Sequence, residues 1–371
     1  MKIIIYSMKC SEFHRRFELI NALKKGIKNM SIKFIKKIPT AREIREEMPL
    51  PNHIKEIKKN RDMEIRKVFQ NEEDKFLLII GPCSADSEDS VCEYIGKLAK
   101  VQEKVKDSII IIPRIYTNKP RTTGEGYKGM AHQPDLEKEP NLVKGIKSIR
   151  KLHIKALSEY YMPAADEMLY PENYSYLADL LGYHAVGARS VENQQHRFTV
   201  SGVDFPVGMK NPTSGDIHVM LNSIKAAQLE HSFIYNGYEI KTSGNPLAHA
   251  VLRGAVDSYG RNIPNYHYEN LTSLAKEYEN KQLLNPSIIV DTNHSNSMKL
   301  HKEQPRIARE VLASRKYNSI LKKMIKGLMI ESYLVEGNQD VNGNVYGKSI
   351  TDPCLGWEDT ENLIYYIAEN V

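Results

Sequence analysis

Cysteine is scarce in this chain of 371 residues, which contains four cysteines at widely separated positions. Thiols so few and so far apart exclude the dense disulfide framework of small secreted domains. No apolar run approaches the length of about 18 residues that a membrane span needs, and the short apolar N-terminus lacks a secretory cleavage pattern. We therefore predict a cytoplasmic protein in a reducing compartment, with no membrane partner.

A large excess of one charge is also missing, because 52 basic residues stand against 46 acidic ones and leave a net charge of +6. Much of the excess lies before residue 70, where acidic residues are interleaved and no aromatic residues alternate with the basic ones. This distribution does not favour a nucleic-acid partner. The length is sufficient for one large α/β core or for two smaller domains.

From residue 76 onward, short runs of apolar and β-branched residues alternate with segments of helical pattern. Such alternation predicts parallel strands joined by helices. Eight runs fit a (β/α)8 TIM barrel of the α/β class, and a doubly wound open sheet is the alternative. The predicted strands are 76–81, 108–116, 162–166, 185–188, 205–210, 231–235, 288–291 and 328–331.

The N-terminal part of the chain precedes this alternation. Residues 1–70 are predicted to form a helical extension, within which 1–29 have no assigned role, and residues 71–371 are predicted to form the catalytic barrel domain. Within the barrel region, an Asn-Gly dipeptide at 236–237 separates two short strand-like runs. This turn signal predicts a β-hairpin inserted into the barrel.

Cationic side chains recur at or soon after the ends of several predicted strands. In a parallel barrel these strand ends meet at one face, where binding sites lie. Cations so close together repel one another unless anions lie among them, so the set indicates a substrate with more than one anionic group. Each residue taken singly also fits a salt bridge or a solvated loop. The set comprises Arg114, Lys119, Arg121, Arg189, Lys210 and Arg253.

A second set of residues at the same predicted face combines a thiol, an imidazole and carboxylates. Mixed ligation of this kind suits one divalent transition metal such as Mn, Fe, Co or Zn, without selecting among them. Because no two of the donors are close in sequence, a buried structural cysteine, a capping histidine and surface carboxylates are the alternative reading. The donors are Cys83, His294, Glu331 and Asp352.

Several short segments resemble the signature segments of 3-deoxy-D-arabino-heptulosonate 7-phosphate synthases, in the branch of the feedback-regulated enterobacterial isoenzymes. The likeness extends in order from about residue 40 to residue 371. The segments are Gly-Pro-Cys-Ser at 81–84, Lys-Pro-Arg-Thr-Thr at 119–123, Gly-Ala-Arg at 187–189, Pro-Val-Gly-Met-Lys-Asn at 206–211, Thr-Ser-Gly-Asn at 242–245, Leu-Arg-Gly at 252–254, His-Ser-Asn-Ser at 294–297, and the runs 331–339, 346–352 and 356–360.

This resemblance implies an enzyme that condenses phosphoenolpyruvate with D-erythrose 4-phosphate and water and releases phosphate, the first step of the shikimate pathway to aromatic amino acids. It implies a homo-oligomer, a dimer or a tetramer, and an effector that is Phe, Tyr, Trp or none of these. The alternative is a phosphoenolpyruvate aldol synthase that acts on another aldose, of the arabinose 5-phosphate type. The Lys-Pro-Arg-Thr-Thr segment argues against that alternative.

The resemblance also implies roles for individual residues. One divalent metal ion would be bound by Cys83, His294, Glu331 and Asp352. Lys119 is predicted to be a catalytic proton donor whose pKa falls among neighbouring cations, and Glu167 is the candidate base for the water. Phosphoenolpyruvate would be bound by Arg114, Lys119, Arg189, Lys210 and Arg253, and erythrose 4-phosphate by Pro120, Arg121 and Thr122.

Three residues, at two places in the sequence, depart from the pattern of this family. Tyr333 stands where many relatives have histidine, and Thr292-Asn293 replaces a pair of small residues before His294. Neither departure removes a predicted metal or phosphate ligand.

Overall fold

The computed structural model describes residues 32–371 with the exception of residue 122. Residues 32–39 contain neither helix nor strand, and Thr40–Val371 form one compact unit. Residues 1–29, to which the sequence assigned no role, lie outside the described residues. No described helix combines the length and apolar character that crossing a membrane requires.

Eleven α-helices are present in the described part of the chain. The helix at Leu142–Tyr160 has its first turn capped by the Asn141 side chain, which accepts from the Lys144 backbone N–H. In chain order the helices are α1 (Ala41–Glu47), α2 (Asn52–Phe69), α3 (Glu88–Val105), α4 (Leu142–Tyr160), α5 (Pro171–Leu177), α6 (Gln194–Val200), α7 (Ile217–Gln228), α8 (Tyr268–Asn280), α9 (Gln304–Tyr317), α10 (Ser319–Met324) and α11 (Trp357–Asn370).

The strands in the described residues include the eight that the barrel requires. In chain order they are β1 (Phe76–Gly81), β2 (Ile109–Pro113), β3 (Ala165–Glu167), β4 (Tyr183–Val186), β5 (Val207–Lys210), β6 (Ser232–Tyr235), β7 (Tyr238–Lys241), β8 (Ala248–Leu252), β9 (Ala255–Val256), β10 (Asn262–Ile263), β11 (Ile288–Asp291), β12 (Ile325–Glu331), β13 (Val335–Asn338) and β14 (Lys348–Ser349).

Eight parallel strands form one sheet in the order β2-β1-β12-β11-β8-β5-β4-β3. The two outer strands meet through a parallel bridge between Arg114 and Ala165, where the Ile115 N–H donates to the Ala165 carbonyl at 2.8 Å. The sheet therefore closes into the predicted (β/α)8 barrel. Closure occurs just beyond the end of β2, which fixes Arg114 at the barrel mouth.

One strand assignment made from the sequence is wrong. Residues 231–235 were expected to supply the sixth barrel strand, but β6 pairs with β7 in the inserted hairpin, around a turn at Asn236 and Gly237 with positive φ. Strand β8 takes the sixth place, between β5 and β11. Every residue of β8 is buried, whereas β6 alternates between exposed and half-buried residues. A barrel strand is covered on both faces, and of these two segments β8 is the one that is.

The core has two layers because the strand side chains alternate between the two faces of the sheet. In β1, Leu77 and Ile79 belong to the barrel interior, whereas Leu78 and Ile80 pack in the layer shared with the helices. The last two turns of α2 contribute Ile65, Val68 and Phe69 to the interior cluster, next to residues at the beginnings of the strands. Helix α2 thus closes the barrel at the end opposite its mouth.

A fully buried histidine lies beneath this closure. His249 Nδ1 donates to the Leu247 carbonyl at 2.8 Å, the Tyr183 hydroxyl donates to His249 Nε2 at 2.8 Å, and the Phe69 ring lies 4.4 Å away, centroid to centroid. Burial lowers the pKa of His249 to about 4, and the hydrogen bond to Leu247 only partly opposes this. The imidazole is therefore neutral at physiological pH.

We expect His249 to make folding stability depend on pH. Because its pKa in the folded state lies below that of the unfolded chain, its contribution is complete above about pH 6.5 and is lost as the pH falls towards 4. When this contribution is lost, the free energy of unfolding should fall by about 3 kcal/mol. His249→Gln can form similar hydrogen bonds without titrating, so urea titrations between pH 7 and 4 should show a smaller decrease for the variant. Equal decreases in the two proteins would contradict this assignment.

Candidate active site

The barrel mouth is lined by the residues at and after the C-terminal ends of the strands. Of the four predicted metal ligands, Cys83, Glu331 and Asp352 offer ligand atoms that lie within 4.8 Å of one another. The fourth, His294, has its Nε2 atom 3.8 Å from Glu331 Oε1. The fold therefore brings together four side chains that are separated by up to 269 positions in the sequence, the difference between Asp352 and Cys83.

The histidine of this group is oriented by a buried carboxylate. His294 adopts a left-handed backbone conformation with φ of 50°, and its Nδ1 atom lies 2.8 Å from Asp291 Oδ2. This contact directs Nε2 towards Glu331. A carboxylate on the far ring nitrogen is typical of metal-binding histidines, and a thiol beside two carboxylates suits a divalent transition metal. The donor set therefore fits such an ion.

Glu331 is fully buried at the end of β12 and is held through both carboxylate oxygens. Arg114 donates to Oε1 at 3.0 Å, and Asn293 Nδ2 donates to Oε2 at 2.6 Å. The Ser297 hydroxyl donates to Asn293 Oδ1 at 2.7 Å, which fixes the orientation of that amide. Burial acts to raise the pKa of Glu331, but His294, Arg114 and Lys119 outweigh burial and lower it. Glu331 is thus a rigid carboxylate anion.

Lys119 is paired with the thiol of Cys83, one of the four predicted metal ligands. Its ammonium donates to Cys83 Sγ at 2.6 Å. Burial acts to lower the pKa of Lys119, but Cys83, Asp352 and Glu331 outweigh burial and raise it. The prediction that neighbouring cations lower this pKa is therefore wrong, because the nearest ionisable groups are acidic. For Cys83, burial and Glu331 raise the pKa to about 11 although Lys119 acts to lower it.

Arg114 and Lys210 both lie close to the ring of a buried tyrosine, Tyr116. The Arg114 guanidinium lies 3.9 Å from the centroid of the Tyr116 ring, and the Lys210 ammonium lies 5.6 Å from it. Lys210 also lies 3.7 Å from Asp291. Within the described residues, Arg114 Nε and Nη1 are buried and have no hydrogen-bond partner. Such donors are costly to leave unpaired, so they favour an anionic ligand.

Glu167, Arg189 and Arg253 lie near one another on the β3, β4 and β8 side of the mouth. A Cβ atom at Gly187 would lie 2.1 Å from Glu167 Oε1, so the absence of a side chain there makes room for the carboxylate. Arg253 is 8% exposed. Burial and Arg189 lower its pKa, while Asp291 and Glu167 act in the opposite direction. Arg189 and Arg253, with Glu167 beside them, therefore form a second group of charged side chains at the barrel mouth, next to that of Arg114 and Lys210.

The loop that follows β2 contains the residues predicted to bind the second substrate. Pro120 and Arg121 are half-buried in it, and Arg121 Nε donates to the Tyr127 carbonyl at 2.8 Å. The Tyr127 hydroxyl donates to the Ala85 carbonyl, two residues after Cys83, at 3.1 Å. This loop is therefore attached to the segment that follows Cys83. Thr122 lies outside the described residues.

Sequence reasoning missed three residues that orient the site. Tyr116 supports two cations, Asp291 orients His294, and Asn293 holds Glu331. The spacing offered one signal for the first, because Tyr116 lies two residues after Arg114 and alternation along an extended segment directs both to the same side. The role of Asn293 had no local signal, since its partner lies 38 positions away.

Tyr333, which stands where many relatives have histidine, also helps to hold the candidate site together. The Tyr333 hydroxyl donates to Asp86 at 2.9 Å and contacts the Ser90 hydroxyl at 2.6 Å. It therefore links the segment after Glu331 to the segment after Cys83.

Comparison with known proteins gives consistent matches over most of the chain. A family model described as "DAHP synthetase I family" matches residues 51–364. The chain is 35% identical over 351 residues to the Phe-sensitive phospho-2-dehydro-3-deoxyheptonate aldolase of Escherichia coli strain K12, covering 92% of this chain and 97% of that protein. It is 36% identical over 312 residues to the Trp-sensitive enzyme of Enterobacter agglomerans, covering 82% and 86%.

A solved structure agrees with these sequence matches. The phospho-2-dehydro-3-deoxyheptonate aldolase from Francisella tularensis SCHU S4 superposes with a TM-score of 0.86 and 32% identity, covering 92% of this chain and 98% of that chain.

We expect Asn293→Ser to weaken binding of a divalent metal ion about ten- to a hundredfold, because Glu331 loses the donor that orients it. Calorimetric titration with Mn²⁺ measures the affinity directly. Asn342→Ser, which changes an exposed asparagine in the loop before β14, serves as the control and should leave the affinity unchanged. Equal Mn²⁺ affinities for Asn293→Ser and the unmodified protein would contradict the prediction.

Proposed function

The chain belongs to the DAHP synthetase I family, and we propose that its barrel mouth condenses phosphoenolpyruvate with D-erythrose 4-phosphate and water. The products are 3-deoxy-D-arabino-heptulosonate 7-phosphate and phosphate, and the reaction is the first step of the shikimate pathway to aromatic amino acids. The observation that carries this proposal is the meeting of buried cations with a thiol, imidazole and carboxylate group at one end of one barrel. The arabinose 5-phosphate alternative gains no support from the relatives reported above.

Phosphoenolpyruvate carries a phosphate and a carboxylate, so it needs several fixed cations. Among the described residues, two buried donor atoms of Arg114 and one of Arg253 have no hydrogen-bond partner, which suits the forked hydrogen bonds of guanidinium to these groups. We assign the phosphoenolpyruvate site to Arg114, Lys119, Arg189, Lys210 and Arg253.

Cys83, His294, Glu331 and Asp352 would hold one divalent metal ion, and the donor set does not choose among Mn, Fe, Co and Zn. When bound, such an ion supplies Lewis acidity towards the aldehyde oxygen of erythrose 4-phosphate. The thiol of Cys83 gives up its proton as a ligand, and the Lys119 ammonium beside it stabilises the resulting thiolate. Because the Cys83 thiol must stay reduced to bind a metal ion, a reducing, cytoplasmic location suits this role.

The bond changes follow from the chemistry of the two substrates. The methylene carbon of phosphoenolpyruvate attacks the aldehyde carbon, water adds to the neighbouring carbon, and the bond from that carbon to the phosphate oxygen breaks. Lys119, held protonated by its acidic neighbours, donates a proton to the aldehyde oxygen. Glu167, beside Arg189 and Arg253, accepts a proton from the water. Pro120, Arg121 and Thr122 bind erythrose 4-phosphate, with Arg121 facing its phosphate.

The inserted hairpin is the proposed location of regulation. Tyr235 donates to the Pro171 carbonyl at 2.8 Å, and the rings of Phe198 and Phe233 lie 5.6 Å apart. An aromatic cluster of this kind, together with relatives named Phe-sensitive and Trp-sensitive, supports an aromatic amino acid as effector. We propose a homo-oligomer, a dimer or a tetramer, as the functional form.

The reaction is tested by following phosphate release from phosphoenolpyruvate with erythrose 4-phosphate or arabinose 5-phosphate as the aldose. We expect turnover with erythrose 4-phosphate alone, abolished by chelation and restored by Mn²⁺. Turnover with arabinose 5-phosphate instead, or turnover that survives complete chelation, would refute the proposal. Repeating the assay with each aromatic amino acid identifies the effector.

Substrate assignment is tested separately with Arg121→Ala. Loss of one charge-assisted contact to phosphate should raise the KM for erythrose 4-phosphate about ten- to a hundredfold. The KM for phosphoenolpyruvate should change less than about twofold, since other cations bind that substrate. Lys128→Ala, which removes an exposed cation from the same loop, is the control. A parallel increase in both KM values would show that Arg121 acts on the loop as a whole.

A further inference from the structure

A large cleft lies at the end of the barrel opposite the mouth, and we call it the basal cleft. It has a volume of about 1180 Å³ and lies between the loop before β1, the C-terminal end of α8, the helices α9 and α10, and the beginning of β12. Lys326, near the beginning of β12, is one of the residues that line the cleft. Lys326 and Glu331 are five positions apart on β12, so about 17 Å of strand separates the cleft from the active site. The basal cleft is therefore distinct from the site described above.

Two buried cations lie side by side in this cleft. Lys326 is 7% exposed and Arg315 is 6% exposed. Lys326 Nζ donates to the amide oxygen of Asn71 at 2.6 Å, and Arg315 Nε donates to the Ile325 carbonyl at 3.2 Å. Both partners are neutral. Arg315 has a carboxylate 3.7 Å away, that of Asp74, but this side chain is 78% exposed.

Within the part of the chain that the structure describes, these two positive charges have no buried counter-charge. No carboxylate of these residues lies within ion-pair distance of Lys326, and the one near Arg315 is largely exposed. Burial and the neighbouring Arg315 lower the pKa of Lys326 to about 8, although Asp74 acts in the opposite direction. Burial likewise lowers the pKa of Arg315. A buried charge is costly unless an opposite charge and hydrogen bonds compensate it. An anion at this position would supply both.

Part of the remaining lining of the basal cleft is apolar. Tyr278, Leu283 and Met324 are buried residues that line it, together with Ala275. The Tyr278 hydroxyl donates to the Ser287 carbonyl. The carboxylates that also line the cleft belong to exposed or half-buried side chains, so they are solvated and do not compensate the two buried cations: Glu72, Glu73, Asp74 and Glu279. Small-molecule sites combine apolar surface with a few convergent polar groups, in volumes of about 300 to 1,000 Å³, and the basal cleft offers both in a somewhat larger volume.

We propose that the basal cleft binds a small amphipathic anion. Its carboxylate, sulfonate or phosphate group is bound between Lys326 and Arg315, and its apolar body packs against Tyr278, Leu283 and Met324. The anionic group compensates the two buried cations, and the apolar body excludes water from the wall. This site is separate from the condensation reaction, so it stands or falls independently of the proposed function.

The test uses two fluorescent probes that share an apolar body. 8-Anilinonaphthalene-1-sulfonate carries a sulfonate, and N-phenyl-1-naphthylamine is the same molecule without it. With the full-length protein, we expect saturable binding of the sulfonate at one site. The uncharged probe should bind at least about tenfold more weakly. Excess phosphoenolpyruvate, a ligand for the barrel mouth, should not displace the sulfonate. Displacement by phosphoenolpyruvate would locate the probe in the mouth and overturn the proposal.

Variants locate the charge that the probe recognises. Lys326→Met keeps most of the side-chain length and should weaken binding of the sulfonate about tenfold, without changing binding of the uncharged probe. Lys326→Arg should restore the affinity, which a general loss of packing would not allow. Lys276→Met changes an exposed lysine of α8 that does not line the cleft and is the matched control. Equal sulfonate affinity in Lys326→Met and the unmodified protein would overturn the proposal, as would the absence of saturable binding.

Discussion

The carboxylate of Glu331 is the group on which the barrel mouth depends. It is fully buried, and it lies between Arg114 on one side and the thiol, imidazole and carboxylate of the proposed metal site on the other. Without this anion, the buried Arg114 would lose the one carboxylate within ion-pair distance of it among the described residues and would repel the neighbouring Lys210. With it, the charges of the proposed substrate site and of the proposed metal site balance one another.

The barrel supplies the rigidity that this balance requires. Glu331 ends β12, and its backbone N–H and carbonyl both contact the side chain of Gln304 at the beginning of α9. The sheet closes at Arg114 itself, through the bridge to Ala165. The two groups of the central ion pair are therefore fixed by backbone hydrogen bonds of the fold. Side chains held in this way lose little further freedom when a ligand binds, which favours affinity and catalysis.

Much of the fold was predictable because its signals are local. The β-branched run of β2 and the capped pattern of α4 specify their own conformations over adjacent residues. The sixth barrel strand was missed for a non-local reason. The segment of β6 has the stronger strand composition, but β8 has both faces covered, and coverage is decided by the rest of the fold. The hairpin itself was predicted correctly from its Asn-Gly turn.

The sequence by itself determined the residue types of the site and the family to which the chain belongs, because side-chain chemistry and segment order are readable without coordinates. Only the tertiary structure decided what each side chain faces. Lys119 was expected among cations and lies against Cys83, and Asn293 gained a partner that no spacing indicated. The physical reason is that electrostatic and hydrogen-bond energies depend on distances of a few ångströms between atoms, and closing a barrel sets those distances between residues hundreds of positions apart.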